Sequence, residues 1–213
     1  MEDLAYEAKI KQYILDNPHL FVSPGKTDSI VYFEKSIYFG NTIADCLVFN
    51  SYNHEIGIEI KTGHDSTYRL RKQLRDYIKV CDYVWVVIHE SLTDEVLGIL
   101  DELHLPFVGV ITYIEYDGDV AGGVYRQASY NPVNSSYMAM MMMWSKELKV
   151  MAKAVAERNN ENINKMTKKS QYIKYIIKKL GNEDAKGLLC NFIISGQGDP
   201  NKVTNSYSFN LSR

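Results

Sequence analysis

Cysteine is scarce in this chain, and what there is does not pair. Cys46, Cys81 and Cys190 are the three cysteines, and no CxxC spacing occurs. An odd count without that spacing argues against a zinc site and a disulfide framework, and for a reducing, cytoplasmic setting. Long apolar runs are also lacking. No stretch reaches the roughly 18 residues of a membrane span. The N-terminal MEDLAYEAKI is acidic and has no apolar segment, so no secretion signal is expected. Neither sign of charge is in excess, with 24 Lys and Arg against 26 Asp and Glu. A net charge of −2 excludes a globally basic nucleic-acid coat and leaves room for a local basic face. What is present is 213 residues, 46% of them hydrophobic. That is enough for one domain, or one and a half, with a sizeable core.

The chain is organised around residues 44–61, ADCLVFNSYNHEIGIEIK. Ile56, Ile58 and Ile60 alternate with Gly57, Glu59 and Lys61. Strand side chains alternate faces, so the isoleucines enter a core while Glu59 and Lys61 share the other face. Two charges on so apolar a strand need partners or a metal. Asp45 begins the preceding strand, and a hairpin around residues 50–54 would bring it toward Glu59. Two carboxylates beside an ammonium can bind a hard divalent cation through oxygen.

Asp45 followed by Glu59-x-Lys61 resembles the signature of the PD-(D/E)xK nuclease superfamily. Ala44 stands where the signature has its proline. Gln73 and Tyr77 resemble the QxxxY element of its RecB-type and phage exonuclease branches. Residues 57–88 are similar to stand-alone nuclease-like proteins of bacteria and phages, including MmcB-type repair proteins. The order helix, three strands, helix, strand is the core order of that superfamily. The resemblance covers residues 1–115. It implies an α/β fold with a restriction-endonuclease-like mixed sheet flanked by helices. It also implies a Mg²⁺- or Mn²⁺-dependent deoxyribonuclease whose partner is DNA. Asp45 and Glu59 would hold the metal with the backbone carbonyl of Ile60, and Glu7 on the first helix is the candidate further acid. Lys61 would orient the attacking water; Gln73 and Tyr77 would position phosphate or water.

Residues 3–15 read as an amphipathic helix, stopped by Asn17-Pro18. Residues 23–26 read as a turn and 29–39 as a strand. In residues 68–80, Leu70, Gln73, Leu74 and Tyr77 fall at helical spacing. Arg69, Arg71, Lys72, Arg75 and Lys79 cover the other sides, where they could meet phosphate or simply be solvated. Residues 83–88 form a continuous apolar strand of the kind covered on both faces. A helix over 91–104, a strand over 106–113 and a hairpin over 114–128 follow, with the nuclease-like core placed at 1–130.

Residues 131–195 read as a helical accessory unit: one helix from Met138 to about 158, a second over 167–180 ended by Gly181, and a third over 183–194. This unit resembles SAP-like or Rho-N-like modules. The methionine run 138–143 suits a packing seam. Residues 146–186 hold eleven Lys and Arg against five acidic residues, a local +6 that leaves −8 elsewhere. Lys165, Lys168, Lys169 and Lys174 are the candidate DNA contacts, against the plainer reading of a bracket on the core. Residues 196–213 read as a polar tail. Two competing readings stand beside the nuclease: a non-catalytic binding scaffold, and a subunit that cuts only with a targeting partner. A homodimer is open as well.

Overall fold

A computed structural model describes residues 2–21, 28–195 and 206–210. Helix α1 (Glu2–Asp16) leads into strands β1 (Asp28–Ile37), β2 (Thr42–Asn50) and β3 (Glu55–Lys61), then helix α2 (Leu70–Val80) and strand β4 (Tyr83–His89). This is the expected helix, three strands, helix, strand. Helix α3 (Thr93–Glu102), β5 (Gly109–Tyr116) and β6 (Asp119–Arg126) follow. The sheet order is β6-β5-β4-β3-β2-β1, with a final strand β7 (Ser206–Asn210) outside β1. β3, β4 and β5 run parallel; all other pairs are antiparallel. The two parallel pairs are the two crossed by helices, α2 and α3, as parallel strands require.

Both faces of the sheet are covered. Under α1, Ile10 and Ile14 pack with Ile56, Ile58, Ile60, Trp85 and Val87. On the other face α2 and α3 close over Leu47, Phe49, Val84, Val86 and Ile88. Burying each such side chain contributes about 1.5–3 kcal/mol. The uninterrupted apolar run of β4 follows from having helices on both sides. Asp117 and Gly118 both take positive φ (51° and 82°), the conformation that a two-residue β5–β6 turn demands.

The first of the expected C-terminal helices differs in its break, while the break at Gly181 falls where expected. The helix expected from Met138 to 158 is two, α4 (Ser136–Met140) and α5 (Ser145–Arg158). Glu147 Oε2 accepts the Trp144 N–H at 2.6 Å and starts α5 afresh, an N-terminal cap that ends the methionine run. Residues 169–194 form α6 (Lys169–Ile194), in which Gly181 at φ 81° divides two helical stretches. The buried residues of α4, α5 and α6 join the same core as α2, β2 and β4. The junction is pinned by Asn131, fully buried, whose amide donates to Ile78 O (2.6 Å) and Cys81 O (2.7 Å). The polar tail is not uniform: residues 206–210 pair with β1, while 196–205 and 211–213 lie outside the described residues. The turn expected at 23–26 also lies outside them. Among the described residues no helix is long and apolar enough to cross a membrane.

Candidate active site

The β2–β3 pairing runs from Phe49↔Glu55 to Cys46↔Ile58 and stops one position short of Asp45 and Glu59. On the other side, β1 pairs Phe33 with Cys46 and Lys35 with Ala44, skipping Glu34 and Asp45. Glu34 has φ 54°, a left-handed conformation that costs a residue with a Cβ on the order of 1–3 kcal/mol. Asp45 therefore sits where the ladder opens on both sides. Its own groups fill the gap: Asp45 Oδ2 accepts the Ile60 N–H at 2.7 Å, and its N–H donates to the Tyr77 hydroxyl at 3.0 Å. That hydroxyl donates in turn to Ile58 O at 3.2 Å. One phenol from α2 thus ties β2 to β3 beside the carboxylates.

Glu59 is fully buried and Lys61 nearly so. Lys61 Nζ lies 2.5 Å from Glu59 Oε1. The other oxygen, Glu59 Oε2, is buried with no hydrogen-bond partner, and so is Gln73 Oε1. Burial raises the Glu59 carboxyl, and the Lys61 ammonium pulls it back. Asp45 is pushed up to about 7, first by burial and then by the Glu59 carboxylate, against the Ile60 N–H and Lys61. Burial and the two carboxylates hold the Tyr77 phenol well above its ordinary range. Asp45, Glu59, Lys61, Gln73 and Tyr77 are thus brought into one cluster, on the face that strand alternation assigns them.

Glu7 is not brought into it. Its carboxylate pairs with Lys11 one turn on, at 2.8 Å, and Lys11 also reaches Glu34 at 2.9 Å. Glu7 acts on Asp45 only through its charge, which raises Asp45 slightly further. Among the described residues no three His, Cys, Asp or Glu side chains converge in a metal-holding group. The side chain of Ile60 enters the core under α1, and its N–H serves Asp45.

The candidate DNA contacts divide into engaged and exposed cations. Arg71 is held by Glu102 of α3 through Nη2 at 2.7 Å and Nε at 3.0 Å. Lys72 donates to Asn41 O at 2.7 Å, and Lys169 donates to Met141 O. Arg69, Arg75, Lys165, Lys168 and Lys174 are exposed.

A second buried ionic group has no counterpart in the sequence reading. Lys186 of α6 pairs with Asp82, and both are almost wholly buried. Asp82 Oδ2 accepts the Glu55 N–H at 2.9 Å, and the Asp82 N–H donates to Glu55 O at 2.8 Å. Neither Glu55 carboxylate oxygen has a partner; burial, then Asp82, holds that carboxyl well above the ordinary range. The available signal is a lysine inside the apolar stretch 185–194 and an aspartate directly before an apolar strand.

The family described as Bacteriophage P4 protein cII matches residues 1–198. The chain belongs to that family. No curated protein matches it. Among solved structures, a protein of unknown function from Silicibacter pomeroyi is similar at 13% identity and a TM-score of 0.40, over 71% of this chain and 88% of that one.

Proposed function

We propose that this P4 cII family member is a metal-dependent nuclease that hydrolyses phosphodiester bonds in DNA. The observation that carries the reading is the juxtaposition of half-buried Asp45 and fully buried Glu59, with Glu59 Oε2 unpartnered and Asp45 raised by burial and then by its neighbour. The donor set suits Mg²⁺ or Mn²⁺, which bind through one or two carboxylates and leave remaining positions to water and phosphate. Asp45 and Glu59 would hold the ion, and a third protein carboxylate is not required. The ion would polarise the scissile phosphate and offset charge on the leaving oxygen. Lys61, freed from Glu59, would orient the attacking water and stabilise the developing negative charge. Tyr77 fixes the backbone of both strands, so that Asp45 and Glu59 keep their separation without a ladder bond between them. Gln73, half-buried, offers a buried Oε1 beside them.

Digestion of linear, nicked and branched DNA by the purified protein, with Mg²⁺ or Mn²⁺, tests the reading. Cleavage that disappears in Asp45→Asn and Glu59→Gln is expected. Absence of cleavage on every substrate with either ion overturns it. The alternative, a non-catalytic binding scaffold, draws support from Glu7 being held by Lys11 instead of joining the carboxylates. DNA binding without cutting, equal in wild type and Asp45→Asn, would establish that reading in its place.

A further inference from the structure

At the end of β3 away from Glu59, and on the α1 face of the sheet, lies a cavity of about 780 Å³. That volume falls within the range of small-molecule sites, roughly 300–1,000 Å³. Its walls hold five aromatic residues and two histidines, and not one Lys, Arg, Asp or Glu. Phosphate and other ions therefore find no counter-charge there, whereas flat neutral rings find several faces.

The rings are ordered among themselves. Tyr83 stands edge-to-face with His54 (5.2 Å between centroids) and with Tyr130 (6.1 Å). Trp85 forms the floor, edge-to-face with Phe21 at 5.7 Å. Its indole is seated on the bare backbone of Gly109, where any Cβ would come within 2.3 Å of Cε3. So fixed, Trp85 is 1% exposed and its Nε1–H has no acceptor. A buried donor left without an acceptor is rare and costly. Asn50 cannot supply one, because its Oδ1 already accepts the N–H groups of Tyr52 and His54.

We propose that this cavity binds a neutral planar heteroaromatic ring of nucleobase size, its face stacked on the Tyr130 or His54 ring and its edge toward Tyr83, which stands at 82° to both. The site is independent of the carboxylate cluster: Ile56 and Trp85 pack under α1, and strand alternation puts Glu59 and Lys61 on the opposite face of the sheet. A free nucleoside and a base of a single strand share this chemistry.

The chain has two tryptophans, so a ¹⁵N-labelled sample shows two indole N–H signals, and Trp144→Phe assigns them. Adenosine, guanosine, cytidine, thymidine and a short single-stranded oligonucleotide are titrated separately into the full chain. A saturating shift of the Trp85 signal with a nucleoside identifies a free ring as ligand. A shift with the oligonucleotide alone identifies a base within a strand. In either case Tyr130→Ala, at a position already half exposed, should weaken binding about fivefold or more, as loss of a stacking face does. The proposal is overturned if no probe gives a saturating Trp85 shift, or if the shift keeps its midpoint in both Tyr130→Ala and His54→Ala.

Discussion

The ring of Tyr77 occupies the space that a Cβ on Gly57 would need: such an atom would lie 2.5 Å from Tyr77 Cδ1 and 2.7 Å from Cys81 Sγ. The missing side chain on β3 lets the phenol lie flat on the strand and reach Asp45 and Ile58. Gly57→Ala should cost about 1–3 kcal/mol by overpacking. Tyr77→Phe keeps the ring and removes the acceptor of the Asp45 N–H, at a similar cost of about 1–3 kcal/mol. Urea denaturation measures both. If either variant matches wild type in stability, the phenol does not brace the site.

Lys61→Met separates chemistry from metal binding. It removes a cation 2.5 Å from Glu59 Oε1, so Mn²⁺ affinity by calorimetry should hold or rise. Cleavage should fall by on the order of a hundredfold or more, the loss typical of removing one charge-stabilising donor. Cutting within a few-fold of wild type removes Lys61 from the mechanism.

The pH dependence of stability has a definite sign at Asp45. Its carboxyl moves from 3.8 to about 7 on folding. Between those values the folded chain keeps a proton that the unfolded chain has released. Metal-free protein therefore loses this contribution as pH rises through that window and stays at the lower level above it. With a chelator present, Asp45→Asn should raise Tm relative to wild type at about pH 8 and hardly at about pH 4. The gain cannot exceed about 1.4 kcal/mol for every tenfold difference in proton affinity between the folded and unfolded chain. An equal difference at both pH values would falsify the assignment.

Lys186→Met should destabilise strongly, by about 3–5 kcal/mol, because it leaves Asp82 charged and buried without its partner. Adding Asp82→Asn should recover part of that loss. Equilibrium unfolding of the two single variants and the double gives the coupling directly. Additive losses would mean that the pair does not act as one unit.

For DNA binding, exposed and engaged cations should behave differently. Neutralising the exposed Lys168 and Lys174 together should lower the log–log salt slope by roughly two, one for each phosphate contact. Lys169→Ala should instead cost about 1 kcal/mol of stability, since its ammonium is engaged by Met141 O. An unchanged slope in the double variant assigns the C-terminal helices a bracing role alone.

The carboxylate cluster is legible in the sequence because two simple periods place it. Alternation puts Glu59 and Lys61 on one face of β3, and one helical turn puts Gln73 and Tyr77 over the same spot. The position of Glu7 is not legible, because how α1 turns on the sheet is decided by the burial of Ile10 and Ile14, and Lys11 then competes for the carboxylate. The break between α4 and α5 is hidden for a different reason. No proline or glycine marks it; it depends on one carboxylate, Glu147, reaching back to Trp144 N–H. The Asp82–Lys186 pair joins positions 104 residues apart, beyond any local pattern.

β7 has a bearing on assembly. Strand edges carry unsatisfied amide groups and invite a neighbour's strand, the usual first step of runaway association. Here the β1 edge is taken by residues 206–210 of the same chain. At the opposite edge, α1 claims carbonyls of the β5–β6 hairpin, through Tyr13 hydroxyl to Gly122 O (2.8 Å) and Lys9 Nζ to Gly118 O (2.5 Å). β7 and α1 thus act as guards at the two sides of the sheet, one by backbone pairing and the other by two side-chain bonds.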